Sequence, residues 1–230
     1  MSQTGRTKEF ITGMQDEMPI LFGVIPFGMI YGALALDAGL SPVEAQSMSW
    51  IIFGGSAQFI STQLFEVGAP GFVIIFTAAV VNLRHALYSA SVAPYLQKLS
   101  SRWKFILAYL LTDEAYAVAI NRYYREHDPV CCSQYYFLGA GLLLWTSWQL
   151  STLAGILLGT VVPESLSLDF SLALIFIALM IPLLKDKPSL ASAISAGITA
   201  LFTFSLPYKL GLILAAMVGV IVGMILESRT

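Results

Sequence analysis

From Met18 onward the chain is built of apolar stretches close to the length of a membrane-spanning helix, joined by short polar connections. The hydrocarbon core of a bilayer is about 30 Å thick, so a helix that crosses it needs roughly 20 mostly apolar residues. Such stretches are expected near Met18–Leu36, Glu44–Phe65, Gly71–Ala93, Trp103–Asn121, Tyr136–Val161, Phe170–Leu184, Leu190–Ser205 and Lys209–Leu226. Water offers no alternative solvent for them. Of 230 residues 57% are hydrophobic and 11% charged, against about 45–50% and about 25% in soluble domains. Surface grows too fast with size for one soluble core to hide that much apolar area. The predicted fold class is all-α, a polytopic transmembrane helix bundle of about seven to eight helices. Residues 1–230 are expected to form a single integral membrane domain with a short polar N-terminal tail, residues 1–15. The stretches Phe170–Leu184 and Leu190–Ser205 are short, which predicts a half-helix or a steep tilt for one of them.

Several function classes fall away on composition. A formal net charge of -2 gives no electrostatic footprint for nucleic acid. Met1–Thr7 is polar and lacks the apolar core of a signal peptide, so the first apolar stretch is expected in the mature fold. Cys131 and Cys132 are adjacent in a polar connection with no second pair to complete a zinc site. A bridge between them would be strained, so two free thiols are expected. The sequence gives no reason to expect a metal, a cofactor or an enzyme.

The stretch boundaries carry recognisable chemistry. Ser41-Pro42-Val43-Glu44 is a capping box with proline at the first helical position. Pro70-Gly71 opens the third stretch, and Ser100-Ser101-Arg102-Trp103 precedes the fourth with caps and an interfacial indole. Lys185-Asp186-Lys187-Pro188-Ser189 reads as a tight polar turn, and Tyr135, Tyr136 and Tyr208 suit the aromatic belt. With the N-terminus inside, seven Lys and Arg residues fall in inner connections and four in outer ones, which favours that orientation. Small residues recur four apart at Gly28/Gly32, Gly155/Gly159 and Gly219/Gly223. Each pair admits a close helix neighbour, and packing inside the bundle is expected over a subunit interface.

Two charged segments face one another across a hairpin. The third stretch holds Asn82-Leu83-Arg84-His85-Ala86-Leu87-Tyr88 and the fourth holds Thr112-Asp113-Glu114-Ala115-Tyr116. Counted from Lys98 in the connection, Arg84 and His85 lie 14 and 13 residues before it, and Asp113 and Glu114 lie 15 and 16 after it. At a rise of about 1.5 Å per residue both sets stand about 20 Å from the turn, and so at similar depth. An unpaired charge there costs about 2.5–3.5 kcal/mol, so Arg84 is expected to pair with Asp113. Such a pair can simply lock two helices, but intramembrane ionisable groups more often mark ion or substrate paths. Proton coupling needs a group that changes charge, which arginine cannot supply. His85 and Glu114 are the titrating candidates, and on spacing alone the two acids could exchange roles.

The second signal is helix breakage. Pro26 in Ile25-Pro26-Phe27-Gly28 removes a backbone hydrogen bond. Gly54 and Gly55 in Phe53-Gly54-Gly55-Ser56-Ala57-Gln58-Phe59 invite an unwound turn. Broken helices are therefore expected near Pro26 and near Gly54-Gly55. Freed backbone groups in lipid must find protein or water, and transporters aim half-helix N-termini at carboxylates. An amino acid fits these parts. Its carboxylate would meet N–H groups near Gly54–Ser56, its ammonium an acid, and its side chain Phe27, Met29, Phe53 and Phe59. Ser56, Gln58 and Asn82 would add hydrogen bonds.

At these motifs the sequence resembles the AzlC family of branched-chain amino acid exporters, also known as azaleucine-resistance permeases. The resemblance rests on Pro26-Phe27-Gly28, on Phe53 through Phe59, on Asn82-Leu83-Arg84-His85 with Leu87-Tyr88, and on Thr112-Asp113-Glu114. It covers the first half of the chain in order and spacing, whereas the second half agrees mainly in length and hydrophobicity. The resemblance implies the large subunit of a two-part exporter in the bacterial cytoplasmic (inner) membrane, with a small AzlD-type membrane protein as partner. It implies leucine, isoleucine, valine and related molecules such as methionine as substrates, with the proton motive force as the drive. It assigns no site residue. Rival readings are a passive amino acid channel, a non-catalytic membrane scaffold, and an intramembrane hydrolase with Ser56 as nucleophile and His85 as base. The hydrolase needs a serine–histidine contact and leaves the buried charges without a purpose.

Overall fold

The computed structural model describes residues 3–125, 133–159, 184, 186–207 and 210–227. All regular structure among them is helical. Cys131, Cys132, Lys185, Tyr208, Lys209 and the sixth expected stretch up to residue 183 lie outside the described residues.

The chain divides into two compact units, residues 1–63 with 78–162, and residues 64–77 with 163–230. In the first unit α1 (Gln3–Glu17) runs through a 3-10 turn, Met18–Ile20, into α2 (Leu21–Asp37). Residues 3–15 are thus helical where a polar tail was expected. The physical reason is packing: Gly13 lies against the Tyr136 carbonyl and Gly139 against the Phe10 carbonyl, so α1 beds onto α9 (Ser133–Gly159) backbone to backbone. The helix interruption expected near Pro26 falls upstream at Met18–Ile20, where Pro19 stands at the start of the 3-10 turn. Pro26 is carried inside α2; it removes one hydrogen bond, and the turns on either side hold the helix together.

After Gly39 the capping box is present as read: Ser41 accepts from the Glu44 N–H and Glu44 from the Ser41 N–H. It starts α3 (Pro42–Ile52), which ends at Phe53 and is followed by α4 (Gly55–Glu66). The expected second stretch is therefore two half-helices. Two further stretches divide in the same way. The third is α5 (Gly71–Asn82) and α6 (Arg84–Leu96), and the fourth is α7 (Ser101–Tyr109) and α8 (Asp113–Arg125). At Leu83 the ladder tightens to i−3 bonds, Leu83 N–H to Val80 and Ala86 N–H to Leu83. At Leu110–Thr112 it opens, and Thr112 begins α8 by accepting from the Ala115 N–H.

α9 is the mast of the first unit. Gly28 packs on Ser151, Gly32 on the Thr152–Ile156 backbone, Gly155 on Met29 and Gly159 on Ala33, so two of the glycine pairs are the two sides of the α2–α9 crossing. Side-chain hydrogen bonds add α3 to it: Gln46 donates to Gln149 at 2.8 Å and Tyr31 donates to the Ala45 carbonyl at 2.9 Å. In the second unit α10 (Lys187–Phe202) and α11 (Leu210–Glu227) form an antiparallel hairpin. Gly219 and Gly223 pack on Ser192, and the Ser192 hydroxyl donates to the Gly219 carbonyl at 2.7 Å.

Among the described residues four helical stretches, Gly5–Asp37, Gly71–Leu96, Ser133–Gly159 and Leu210–Glu227, are long and apolar enough to cross a membrane. Phe22, Phe72, Phe105 and Leu201 stand more than 70% exposed. Apolar surface of that extent is stable only against lipid or another apolar partner.

Candidate functional site

Three of the breaks meet at one place in the first unit. Phe53 holds a left-handed backbone, φ 38° and ψ 54°, and so turns the chain between α3 and α4. A non-glycine residue there costs about 1–2 kcal/mol, and such strain concentrates at functional sites. Gly54 is needed for a different reason than chain reversal. A Cβ on it would stand 3.2 Å from Asn82 Oδ1 and 3.7 Å from His85 Cε1, so its lack of a side chain lets the α5–α6 break approach the α3–α4 break. Gly55 likewise makes room for Phe27 and Trp148, each 3.1 Å from where its Cβ would be.

Arg84, in the first turn of α6, bridges the three half-helix starts. Its Nη1 donates to Asp113 Oδ2 at 3.1 Å, and its Nη2 donates to Ser56 Oγ at 3.4 Å. The ion pair joins segments that the depth count had put level. A cation at a helix N-terminus opposes the helix dipole, whereas an acid there is favoured. Asp113, in the first turn of α8, satisfies both terms. The side chains of the pair are 29% and 42% exposed, so it borders an accessible space rather than a dry core.

Gln58 organises the other side. Its Oε1 accepts from the Gly54 N–H at 3.3 Å and from Trp148 Nε1 at 3.1 Å. It thereby occupies one opening donor of α4 and leaves Gly55, Ser56 and Ala57 with the remaining N–H groups, for which a helix has no acceptor of its own. Four buried polar atoms around this point have no hydrogen-bond partner: Asn82 Oδ1, Arg84 Nε, His85 Nε2 and Gln58 Nε2. Buried polar groups are rarely left unpaired without a purpose. Beside them lies an aromatic wall. Phe27 and Phe59 have ring centroids 4.6 Å apart, and Tyr31 and Trp148 stack at 6.2 Å.

The structure thus brings together Phe27, Gly54, Gly55, Ser56, Gln58, Asn82, Arg84, His85 and Asp113, with Glu114 next in the α8 turn. It leaves other candidates outside. Pro26 is exposed on α2, and Gly28 is buried in the α2–α9 crossing against Ser151. Phe53 shapes the turn by its backbone while its ring packs toward Tyr109 at 5.9 Å, and the Met29 backbone abuts Gly155. Sequence reasoning missed Trp148, whose partner is 90 residues away, and Glu17, fully buried with neither carboxylate oxygen hydrogen-bonded. It also read Thr112-Asp113-Glu114 only as buried polarity, although a threonine followed by two acids is a helix start. Among the described residues no group of three or more His, Cys, Asp or Glu side chains is placed to hold a metal ion.

The family model described as AzlC protein matches residues 19–162, the segment that holds the breaks at Phe53–Gly54, Leu83 and Leu110–Thr112. An uncharacterised membrane protein of Archaeoglobus fulgidus is 32% identical over 95% of this chain and 96% of its own length. Inner membrane protein YgaZ of Escherichia coli is 28% identical over 86% of this chain and 83% of its own. The branched-chain amino acid transport protein AzlC of Bacillus subtilis is 24% identical over 79% of this chain and 71% of its own. No solved structure matches the chain.

Proposed function

The chain belongs to the AzlC protein family, and from that premise we propose that it is a secondary active transporter that exports branched-chain amino acids, and methionine among related molecules. Export is driven by protons. The chain acts as the large subunit with a small AzlD-type membrane protein, in the bacterial cytoplasmic membrane. The relative named for branched-chain amino acid transport supports the substrate class, and the one named an inner membrane protein supports the location.

The observation that carries the reading is the meeting of three half-helix starts at Gly54, Arg84 and Asp113 beside unpaired buried polar atoms. The opening N–H groups of α4 suit a carboxylate. Asn82 Oδ1 and the outer oxygen of Asp113 suit an ammonium, and Phe27 with Phe59 suits a branched apolar side chain. Arg84 and Asp113 hold the three breaks in register, while His85 and Glu114 carry the proton. Broken helices of this kind form the binding sites of secondary transporters, around which one bundle of helices rocks against another to alternate access.

The hydrolase reading loses support from the same geometry. Ser56 Oγ is engaged by Arg84, and His85 Nε2 makes no hydrogen bond, so nucleophile and base are not joined. Proteoliposomes containing the chain with and without its small partner test the proposal. Leucine should accumulate against its gradient when a pH gradient is imposed. Flux that only runs downhill would make the protein a channel, and cleavage of a peptide would make it a hydrolase.

A further inference from the structure

The connection between α6 and α7 is basic, and it stands beside a cleft that the site described above does not use. From Val67 to Thr112 the chain carries no aspartate or glutamate, while Lys98, Arg102 and Lys104 fall within seven residues. All three are exposed. The ion pairs among the described residues, Arg84 with Asp113 and Arg122 with Glu9, do not involve them. Beside Arg102 and Lys104, Trp103 meets Tyr135 edge to face at 5.1 Å. Tryptophan and tyrosine favour the headgroup level of a bilayer, so these cations stand where lipid phosphates do.

α6 packs on α8, and α7 packs on α9. Between α6 and α7 lies a cleft of about 240 Å³. Its floor is apolar and buried, formed by Val92, Leu96, Leu107, Leu111 and Phe137. Its edges are open at Ala93 and Ala108, which are exposed. Gln97 and Lys104 line one end, and Ser89 lines the other. Gln97 and Ser89 are eight residues apart, which is about 12 Å along a helix. The cleft therefore starts among the cations and runs inward along α6.

These surroundings define an occupant. Apolar walls offer water no hydrogen bonds, and an empty cleft forfeits dispersion contacts, so the body that fills it is apolar. Its head is anionic. Lys104 can lay its methylene stem on the apolar wall and keep its ammonium at headgroup level. No acid competes for it from α6 or α7, and α9 carries no charged residue at all. We propose that this cleft binds one acyl chain of an anionic phospholipid, with Lys104, supported by Arg102 and Lys98, holding the phosphate. A hydrocarbon chain gains little by exchanging lipid for leucine side chains, which are equally apolar. Selection among lipids is therefore by headgroup charge, at roughly a fivefold preference for each cation near the surface. α6 begins at Arg84, and α7 ends at the break before Asp113. The bound lipid thus wedges two half-helices that adjoin the breaks of the candidate site. Its binding does not depend on what the protein transports.

The test uses the full chain, purified in an uncharged detergent and offered equal amounts of phosphatidylglycerol and phosphatidylcholine. Native mass spectrometry counts the lipid retained. The first lipid bound should be phosphatidylglycerol, by about tenfold or more. Lys104→Ala should reduce that preference by about fivefold, and Lys104→Arg should keep it. Ala108→Phe fills the cleft without altering charge and should lower the retention of phosphatidylglycerol. Both positions are exposed, and each variant is compared at an unchanged thermal midpoint. Equal retention of the two lipids, or the wild-type preference in Lys104→Ala, would overturn the proposal. Displacement of the lipid by inorganic phosphate would overturn it too, by revealing an anion site that has no need of the chain. So would a cross-link from Ala93→Cys to a co-purified small membrane protein with no lipid retained, which would make the cleft a protein interface.

Discussion

Removing the charge on Asp113 is the perturbation whose cost the structure defines best. At 3.1 Å from Arg84, two unit charges attract by about 5 kcal/mol at an effective dielectric of about 20 and by about 1 kcal/mol in bulk water. The pair is 29% and 42% exposed, so screening moves the net value toward the wet end, to about 1–2 kcal/mol. Asp113→Asn also leaves Arg84 uncompensated at the start of α6, which adds about 0.3–1 kcal/mol from the helix dipole. The single variant should therefore lose about 1.5–3 kcal/mol in equilibrium unfolding in mixed micelles. The informative measurement is the cycle with Arg84→Gln. Because each single change strands the other partner, the double variant should be about 1–2 kcal/mol more stable than the sum of the two losses predicts. Additivity within about 0.5 kcal/mol would refute the reasoning, since it would mean that the two residues share no energy. The same variants should transport poorly even where they fold, because the three half-helix starts are no longer tied.

Gly155→Val should destabilise the protein by about 1–3 kcal/mol or more through overpacking, because the Met29 backbone fills that space; thermal unfolding in detergent reads this, and an unchanged midpoint would contradict the crossing. Gln58→Leu strands the Trp148 indole N–H and the Gly54 N–H at a cost of about 1–3 kcal/mol, and should change Trp148 fluorescence as well as stability. The Asp186 carboxyl accepts from the Ser189 N–H at 2.7 Å, which holds it below its ordinary value. Its support of α10 is thus present above the ordinary carboxylate range and lost as pH falls through the lowered value; the protection of the Ser189 and Leu190 amides, taken relative to their intrinsic exchange rates, should fall on acidification, and Asp186→Asn should remove that pH dependence.

The membrane environment was legible from apolar length alone, because lipid leaves a spanning chain almost no choice but helix. Local chemistry fixed several ends as well: Ser41 to Glu44 is a cap wherever it occurs, and the Asp186 turn needs only its own few residues. The equal depth of Arg84 and Asp113 followed from counting residues along a hairpin. What counting could not reach were the interruptions at Leu83 and Leu110–Thr112. A helix with a high apolar content reads as continuous, and whether it breaks depends on partners that offer hydrogen bonds to the freed groups. Pro26 shows the converse, a strong local breaker carried inside an intact helix. The roles of Trp148 and Glu17 were likewise set only by folding. Gln58 reaches its indole partner across 90 residues, and Glu17 is an ordinary polar residue in sequence until α8 and α9 close over it. Burial is a property of the neighbours, not of the residue, and so tertiary packing alone turned one acid in a polar segment into an enclosed carboxyl without a hydrogen-bond partner.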